Sequence, residues 1–537
     1  MDNKLKKEIN IYNSLKSNAL SSFEDKKYEK TLDYIHLAAK IARQSYLGIW
    51  YDDELEELLI KIGKELKEGS KPKKSHNKKV VFILSFLSGK DGTCFGHCQA
   101  FKHWTKMLGS TSKNIYITHC YTSYNSSLYT KNIEDIPVHN LSWYDSYLDR
   151  IKDLINCLNN DAPDEIILFI NPDDVIAITA ISALDINPKI IFFNHADHTF
   201  WLGRTIIDTL IEFRDEGARW SKNYRNIDNS QIVPLTTEIK PQKASKKEWG
   251  IIEDSVVSIS IGSMRKVLTD DLPYFKLIGE LLEKFPNYYH IFITNEVDED
   301  LIMFYFKNYD KFKDRFIIAG PIADLSTIYG VGDFLIETIP MNGDTVRIEA
   351  MACKLPVVAY YNEKFPLVSS KYYLPSNYPF IGSKKDELIN YCTELIKDPE
   401  LRNKTGNLLY EYYLDKFSIE SVNKTLKKVL SSNDNTVSIE NSKTSCDYDL
   451  EYTRNLLGKD EFELNKELLF QSIFKRSKFS LKDNIHFYSM SLKKAEFKSI
   501  KNAVSHSFLP FIGFTGISVG RKFGDRGISL LRELFVK

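Results

Sequence analysis

The chain has no excess of either charge. Lysine plus arginine number 72, and aspartate plus glutamate also number 72, across 537 residues. Global electrostatics therefore offer no attraction to nucleic acid, and no nucleic-acid partner is expected. A cysteine framework is missing too. The 7 cysteines include no CxxC pair, and Cys94 and Cys98 have no second pair to complete a zinc site. Scattered cysteines in odd number suit a reducing compartment, so a cytoplasmic location is expected. No apolar run is long enough for a transmembrane helix. Met1-Asp-Asn-Lys-Leu-Lys-Lys lacks a following apolar core, so no signal peptide is expected. No internal repeat period is visible.

The composition that remains is that of an ordinary globular chain, 43% hydrophobic and 27% charged. At this length two main domains with additions are expected. From Lys4 to about Lys67, residues such as Leu15, Ala19, Phe23, Leu32, Ile35 and Ala39 recur at helical spacing. The stretch from Phe23 to Ala39 looks a little like one tetratricopeptide-type hairpin. One copy is not an array, so residues 1–70 are expected to be a helical extension packed on the core. Gly69-Ser-Lys-Pro-Lys-Lys then marks a boundary.

Beyond it, apolar strands alternate with helices. Val80–Leu84, Ile115–Thr118, Glu165–Ile170 and Ile190–Phe193 are strands by pattern. Cys98–Leu108, Tyr147–Leu158 and Val175–Ala183 are helices. Such alternation predicts an α/β domain with a doubly wound parallel sheet over 79–240. A second series predicts another over 250–430, with strands at Val256–Ser260, Tyr289–Thr294, Phe316–Ala319 and Phe334–Ile336 and a helix over Pro273–Phe285. A polar linker follows, then a helical extension over 446–537. Within it, the apolar stretch from Phe508 to Gly520 precedes Arg521, Lys522 and Arg526. Exposed, that pattern would meet an anionic bilayer at the inner face of the membrane. Packing back onto the first domain is the expectation preferred here.

Candidate chemistry sits at strand ends. After Phe334-Leu-Ile336 comes a polar turn, Met341-Asn-Gly-Asp-Thr345, then a helix whose first turn carries Glu349. Ligands of open parallel sheets lie outside the carboxyl ends of strands. A turn there, followed by a helix N-terminus, offers free N–H groups to a diphosphate. Gly262, Ser263, Arg265 and Lys266 follow the Val256–Ser260 strand, where a cation would offset charge on a leaving diphosphate. Glu349 is expected to hold a ribose or sugar hydroxyl; the alternative is a surface glutamate favoured by the helix dipole. His97 opens the first helix of the first domain and is a candidate base for an acceptor hydroxyl. Asn194-His-Ala-Asp-His198 is the other polar cluster. In it Asp197 is the alternative base, and His195 and His198 are expected on the acceptor side. Arg214 and Arg225 are expected to be salt-bridge partners.

Two tandem Rossmann-like domains with such a turn in the second resemble the GT-B glycosyltransferases. Within them Asp333-x-x-x-Glu-Thr-x-x-x-Asn-Gly-x-Thr345, with Pro356 after it, is similar to the donor site of the O-GlcNAc transferase-like family. Here Glu337, Asp344 and Val346 replace that family's aspartate, histidine and second threonine. The resemblance implies that Asn342, Gly343, Asp344 and Thr345 hold the donor diphosphate, with Lys266 against it. It also implies a UDP-sugar donor, a surface-glycan or protein acceptor, capsule-like polysaccharide synthesis as one setting, and no metal or cofactor. Many retaining relatives carry two glutamates eight apart; Met341 stands eight before Glu349, so inversion is expected. The alternatives are a UDP-sugar epimerase of the same fold and a noncatalytic partner subunit.

Overall fold

The computed structural model describes residues 3–67, 78–87, 96–109, 111–120, 136–142, 145–228, 230–268, 273–294, 297, 302, 306, 309–322, 324–364 and 366–431. The expected extension beyond them, with its apolar stretch at Phe508, lies outside this set.

Three helices come first: α1 (Asn3–Glu24), α2 (Tyr28–Ser45) and α3 (Asp53–Glu65). Asp52 starts α3 by accepting from the amides of Glu54 and Leu55, and three acidic residues follow in its first turn, where the dipole favours them. The extension is tied into the first domain by carboxylates that cap elements far along the chain. Glu29 accepts from the amides of Tyr147 and Leu148 at 2.8 and 2.9 Å, closing the N-terminus of α5 (Tyr147–Asp161). Glu56 accepts from the amides of Gly203, Arg204 and Thr205. Gly63 of α3 lies so close to α6 (Val175–Ser182) that a Cβ there would fall 2.5 Å from the Thr179 carbonyl oxygen.

The first sheet has strand order β3-β2-β1-β4-β5-β6-β7, and every pairing is parallel. Its strands are β1 (Lys79–Leu84), β2 (Ser112–Ile117), β3 (Val138–Asn140), β4 (Glu165–Phe169), β5 (Lys189–Asn194), β6 (Thr209–Glu212) and β7 (Ser230–Ile232). Helices on both faces explain why β1 is a continuous apolar run. Val80, Phe82 and Leu84 pack with Phe101 and Trp104 of α4 (Gly96–Met107). Val81 and Ile83 point the other way, into a core shared with α1, α2, α3, α5 and α6. Each such side chain contributes roughly 1.5–3 kcal/mol on burial. The short strands β3, β6 and β7 extend the sheet beyond the four strands expected from the pattern.

The second sheet has order β10-β9-β8-β11-β12-β13, again all parallel. It comprises β8 (Val256–Ile261), β9 (Tyr288–Ile293), β10 (Phe316–Ala319), β11 (Phe334–Ile336), β12 (Val357–Tyr360) and β13 (Ile381–Gly382), with α8 over Pro273–Lys284. Helices Lys385–Lys397, Pro399–Lys416 and Ile419–Ser431 complete this half. The halves are stitched where the chain crosses between them. Tyr373 donates to the Phe213 carbonyl and accepts from the Leu235 amide, and Tyr413 donates to the Thr237 carbonyl at 3.0 Å. No helix among the described residues is long and apolar enough to cross a membrane.

Candidate functional site

In each sheet the strand order reverses once, between β1 and β4 in the first and between β8 and β11 in the second. A ligand crevice opens at such a reversal. The first reversal is filled by the protein's own side chains. Asp174 caps α6 through the amides of Ile176 and Ala177, and it also accepts from Ser85 at 2.5 Å and Thr118 at 2.6 Å. Its carboxylate is fully buried, and burial raises its pKa against these hydrogen bonds.

The second reversal is differently furnished. The chain leaves β8 through Gly262 and Ser263 into a short 3-10 turn, Met264–Lys266. A Cβ on Gly262 would meet Thr338 at 3.0 Å and the Lys266 side chain at 3.5 Å, so glycine lets the ends of β8 and β11 approach. Lys266 Nζ donates to the Asn342 carbonyl at 2.8 Å. Burial lowers its pKa, and Arg265 and Arg214 act in the same direction while Asp344 opposes them. Gly343 is the N-cap of the helix Asp344–Ala352, and a Cβ there would lie 3.2 Å from Lys266 Nζ. The ammonium thus lies against the bare backbone at a helix N-terminus, the combination an anion favours. Ser263 and Thr345 are part-exposed here and Arg265 is exposed. Asn342 is anchored below, its amide donating to Val368 and its side chain to Ser370.

Glu349 is not a surface glutamate. It is 5% exposed, accepts from the Tyr329 hydroxyl at 2.7 Å, and is pushed up to about 7 by burial. Deeper in, Arg347 donates to Glu337 at 2.6 Å and lies 3.5 Å from Asp344. Neither Arg347 nor Tyr329 was among the residues singled out from the pattern. The inward face of the helix, with Arg347 flanked by buried Ile348, was the available signal.

Asp344 is paired across the domains. Its carboxylate accepts from Arg214 at 2.9 Å, across from the first domain. Arg214 also binds Asp197 with two nitrogens, at 2.7 and 2.9 Å, and donates to the Leu367 carbonyl. The salt-bridge expectation for Arg214 therefore holds, with an interdomain reach that was not anticipated. Arg225 differs: it donates to the carbonyls of Asp197 and Thr199. Burial alone would raise the Asp197 carboxyl, but Arg214 and His198 outweigh it and hold it well below the usual carboxylate range. Fully buried and ion-paired, Asp197 is poorly suited to take a proton from an acceptor. His198 Nδ1 lies 3.3 Å from it, and the ring is one-third exposed, at 33%. His195 is part-buried. His97 is the second residue of α4, the helix that follows β1 in the chain; its side chain is outside the described set.

No protein-family model and no curated protein matches this sequence. Solved structures do match the fold. Anabaena HepE, crystallised in complex with UDP and glucose, superposes with a TM-score of 0.51 at 14% identity, covering 66% of this chain and 100% of that one. A glycosyltransferase from Rickettsia africae gives 0.52 at 14% identity, covering 67% and 100%. The likeness shows the fold: two tandem Rossmann-like domains of the GT-B kind.

Proposed function

We propose that this chain is a glycosyltransferase that moves a sugar from a nucleotide sugar, a UDP-sugar by the resemblance of its donor turn to the O-GlcNAc transferase-like family, onto a glycan or protein acceptor. The observation that carries the reading is the contact of Lys266 with the Asn342–Gly343 turn at the open reversal of the second sheet. The complex of HepE with UDP and glucose supports a nucleotide in this fold. The diphosphate lies on the amides of Gly343 to Thr345, with Lys266 and Arg265 offsetting its charge. Glu349, oriented by Tyr329, takes a ribose hydroxyl.

In the reaction the acceptor oxygen attacks the anomeric carbon in line with the diphosphate. The bond from that carbon to the phosphate oxygen breaks, the electron pair leaves with the diphosphate, and the hydroxyl proton passes to a base. Of the two candidates, His97 is assigned the base role. Asp197 is assigned the orientation of Arg214 and His198. Asp344, neutralised by Arg214, contributes its amide and not its carboxylate. The reaction inverts the anomeric centre, and the acceptor is a growing surface glycan such as a capsule polymer.

A panel of UDP-, GDP- and dTDP-sugars, followed by calorimetry and by nucleotide release, tests the reading. Binding and release with UDP-sugars are expected. Release of a free 2-epimer would point instead to an epimerase, and no binding across the panel would point to a noncatalytic subunit.

A further inference from the structure

The helix that starts at the second reversal has no side-chain cap. α3 and α6 begin on aspartates, Asp52 and Asp174, whose carboxylates accept from the first amides of the helix. The helix Asp344–Ala352 begins on Gly343, and no side chain closes it. The first amides of a helix lack partners within it. A carboxylate is at hand: Asp344 is the first residue of that helix, where the dipole favours a negative side chain. Yet this carboxylate is held by the other domain. One oxygen accepts from Arg214 at 2.9 Å. The other accepts no hydrogen bond among the described residues and lies 3.5 Å from Arg347.

Arg214 is fixed for this task from both sides of the seam. Two of its nitrogens bind Asp197, at 2.7 and 2.9 Å, which sets the guanidinium in the first domain. It also donates to the Leu367 carbonyl. The next carbonyl, that of Val368, accepts from the Asn342 amide at 2.9 Å. Arg214 therefore touches the second domain at the helix start and at the segment that supports Asn342. The surroundings are apolar: Trp50 and Trp220 pack with Met341, Leu367 and Val368, and Arg214 itself is buried.

We propose that Arg214 is a positioning residue for the donor's diphosphate: by holding the Asp344 carboxylate it keeps the first amides of the helix open to phosphate, and when the domains part, Asp344 turns onto those amides itself. This rests on the nucleotide-sugar reading above. One set of amides cannot serve two anions, so the carboxylate is a placeholder that the diphosphate replaces. The donor then binds well only where Arg214 reaches Asp344, that is, with the domains together. A ligand that prefers one of two forms draws the protein into it, so the donor closes the cleft it occupies.

The test measures UDP binding by calorimetry and uridine binding by saturation-transfer NMR, in the full chain. Asp197→Asn with Arg214→Gln removes the guanidinium and its buried counter-charge together. Asp344→Asn is then added to that background and, separately, to the parent. UDP affinity should fall about 10-fold in the background and return to within about 2-fold of the parent once Asp344→Asn is added. Asp344→Asn alone should bind UDP at least as tightly as the parent, and uridine should bind alike in every variant. If the background does not fold, Arg214→Lys, which keeps a cation beside Asp197, carries the same comparison. Unchanged UDP affinity in the background overturns the proposal. So does a loss that Asp344→Asn does not relieve, because Arg214 would then act through closure or folding alone. A loss of UDP affinity in Asp344→Asn by itself, or a parallel loss for uridine, overturns it too. In each of these cases UDP binding by the parent leaves the donor reading standing, whereas a parent that binds no UDP overturns both.

Discussion

Arg214, at the N-cap of the helix Asp215–Arg225, reaches Asp344 at the start of the helix Asp344–Ala352 over 2.9 Å while holding Asp197 with two further hydrogen bonds. One guanidinium thus neutralises a carboxylate from each domain. Arg214→Met strands Asp197 in a fully buried setting, and removing one partner of such a pair costs about 3–5 kcal/mol. Asp344→Asn should cost less, since Arg214 keeps Asp197 and the Leu367 carbonyl. Urea unfolding of both variants and the double variant measures the coupling. Equal, small losses would mean the bridge does not persist in solution.

On the donor side, Lys266→Ala is expected to lower kcat by about 10²–10³, and Glu349→Ala to remove most turnover. The Lys266 change should leave folding intact, because the ammonium donates to a single carbonyl among the described residues. Calorimetry with UDP and circular dichroism distinguish a damaged site from a damaged fold. Parental binding and turnover in both variants would misplace the donor.

On the acceptor side, His97→Ala should reduce kcat by about 10²–10⁴ with UDP affinity unchanged. Asp197→Asn should instead lower the melting temperature, because Arg214 loses its bidentate partner. If Asp197→Asn were folded and inactive while His97→Ala remained active, the base role would pass to Asp197.

Three buried glutamates make stability depend on pH in a defined direction. Burial raises Glu349 to about 7; burial and then the Asp197 charge raise Glu212 to about 7; burial and then Asp215 raise Glu216 to about 8. The folded state therefore holds protons that the unfolded chain releases near 4.5, the ordinary glutamate value. Their stabilisation is fully present below about 4.5 and is lost as pH rises through about 7 to 8. Melting temperature should fall between pH 5 and 8.5, on the order of a few degrees, and Glu349→Gln should flatten the slope. A rising melting temperature across that window would contradict the burial of these groups.

Gly63→Ala probes the seating of the extension. The added Cβ would fall 2.5 Å from the Thr179 carbonyl oxygen and 2.9 Å from the Ser182 Cβ. Backbone cannot yield cheaply, so a loss of about 1–3 kcal/mol in global unfolding is expected. An unaffected protein would mean that α3 unfolds separately from the first domain.

The fold was legible where both faces of a strand are covered. Val80–Leu84 and Tyr289–Ile293 are apolar runs buried along their whole length, and both lie in strands. The short strands were not. Thr209-Leu-Ile-Glu212 ends in a glutamate that looks exposed by type, and nothing local says that Ser221 and Asn194 will bind it. The turn proposed to hold the donor could be singled out because its candidate residues are contiguous, from Asn342 to Glu349. Arg214 and Asp344 stand 130 positions apart, and no periodicity links them.

The aromatic cluster around Trp50 has a thermal consequence. Trp50 meets Trp220 edge-on at 5.0 Å, and both pack with Leu367 and Val368 of the second domain. Parting the domains to release a product would wet this apolar seam, and wetting apolar surface carries a positive heat capacity. The equilibrium between closed and parted forms would then follow a curved van't Hoff plot, and the interval between turnovers would depend on temperature more steeply at one end of the working range than at the other.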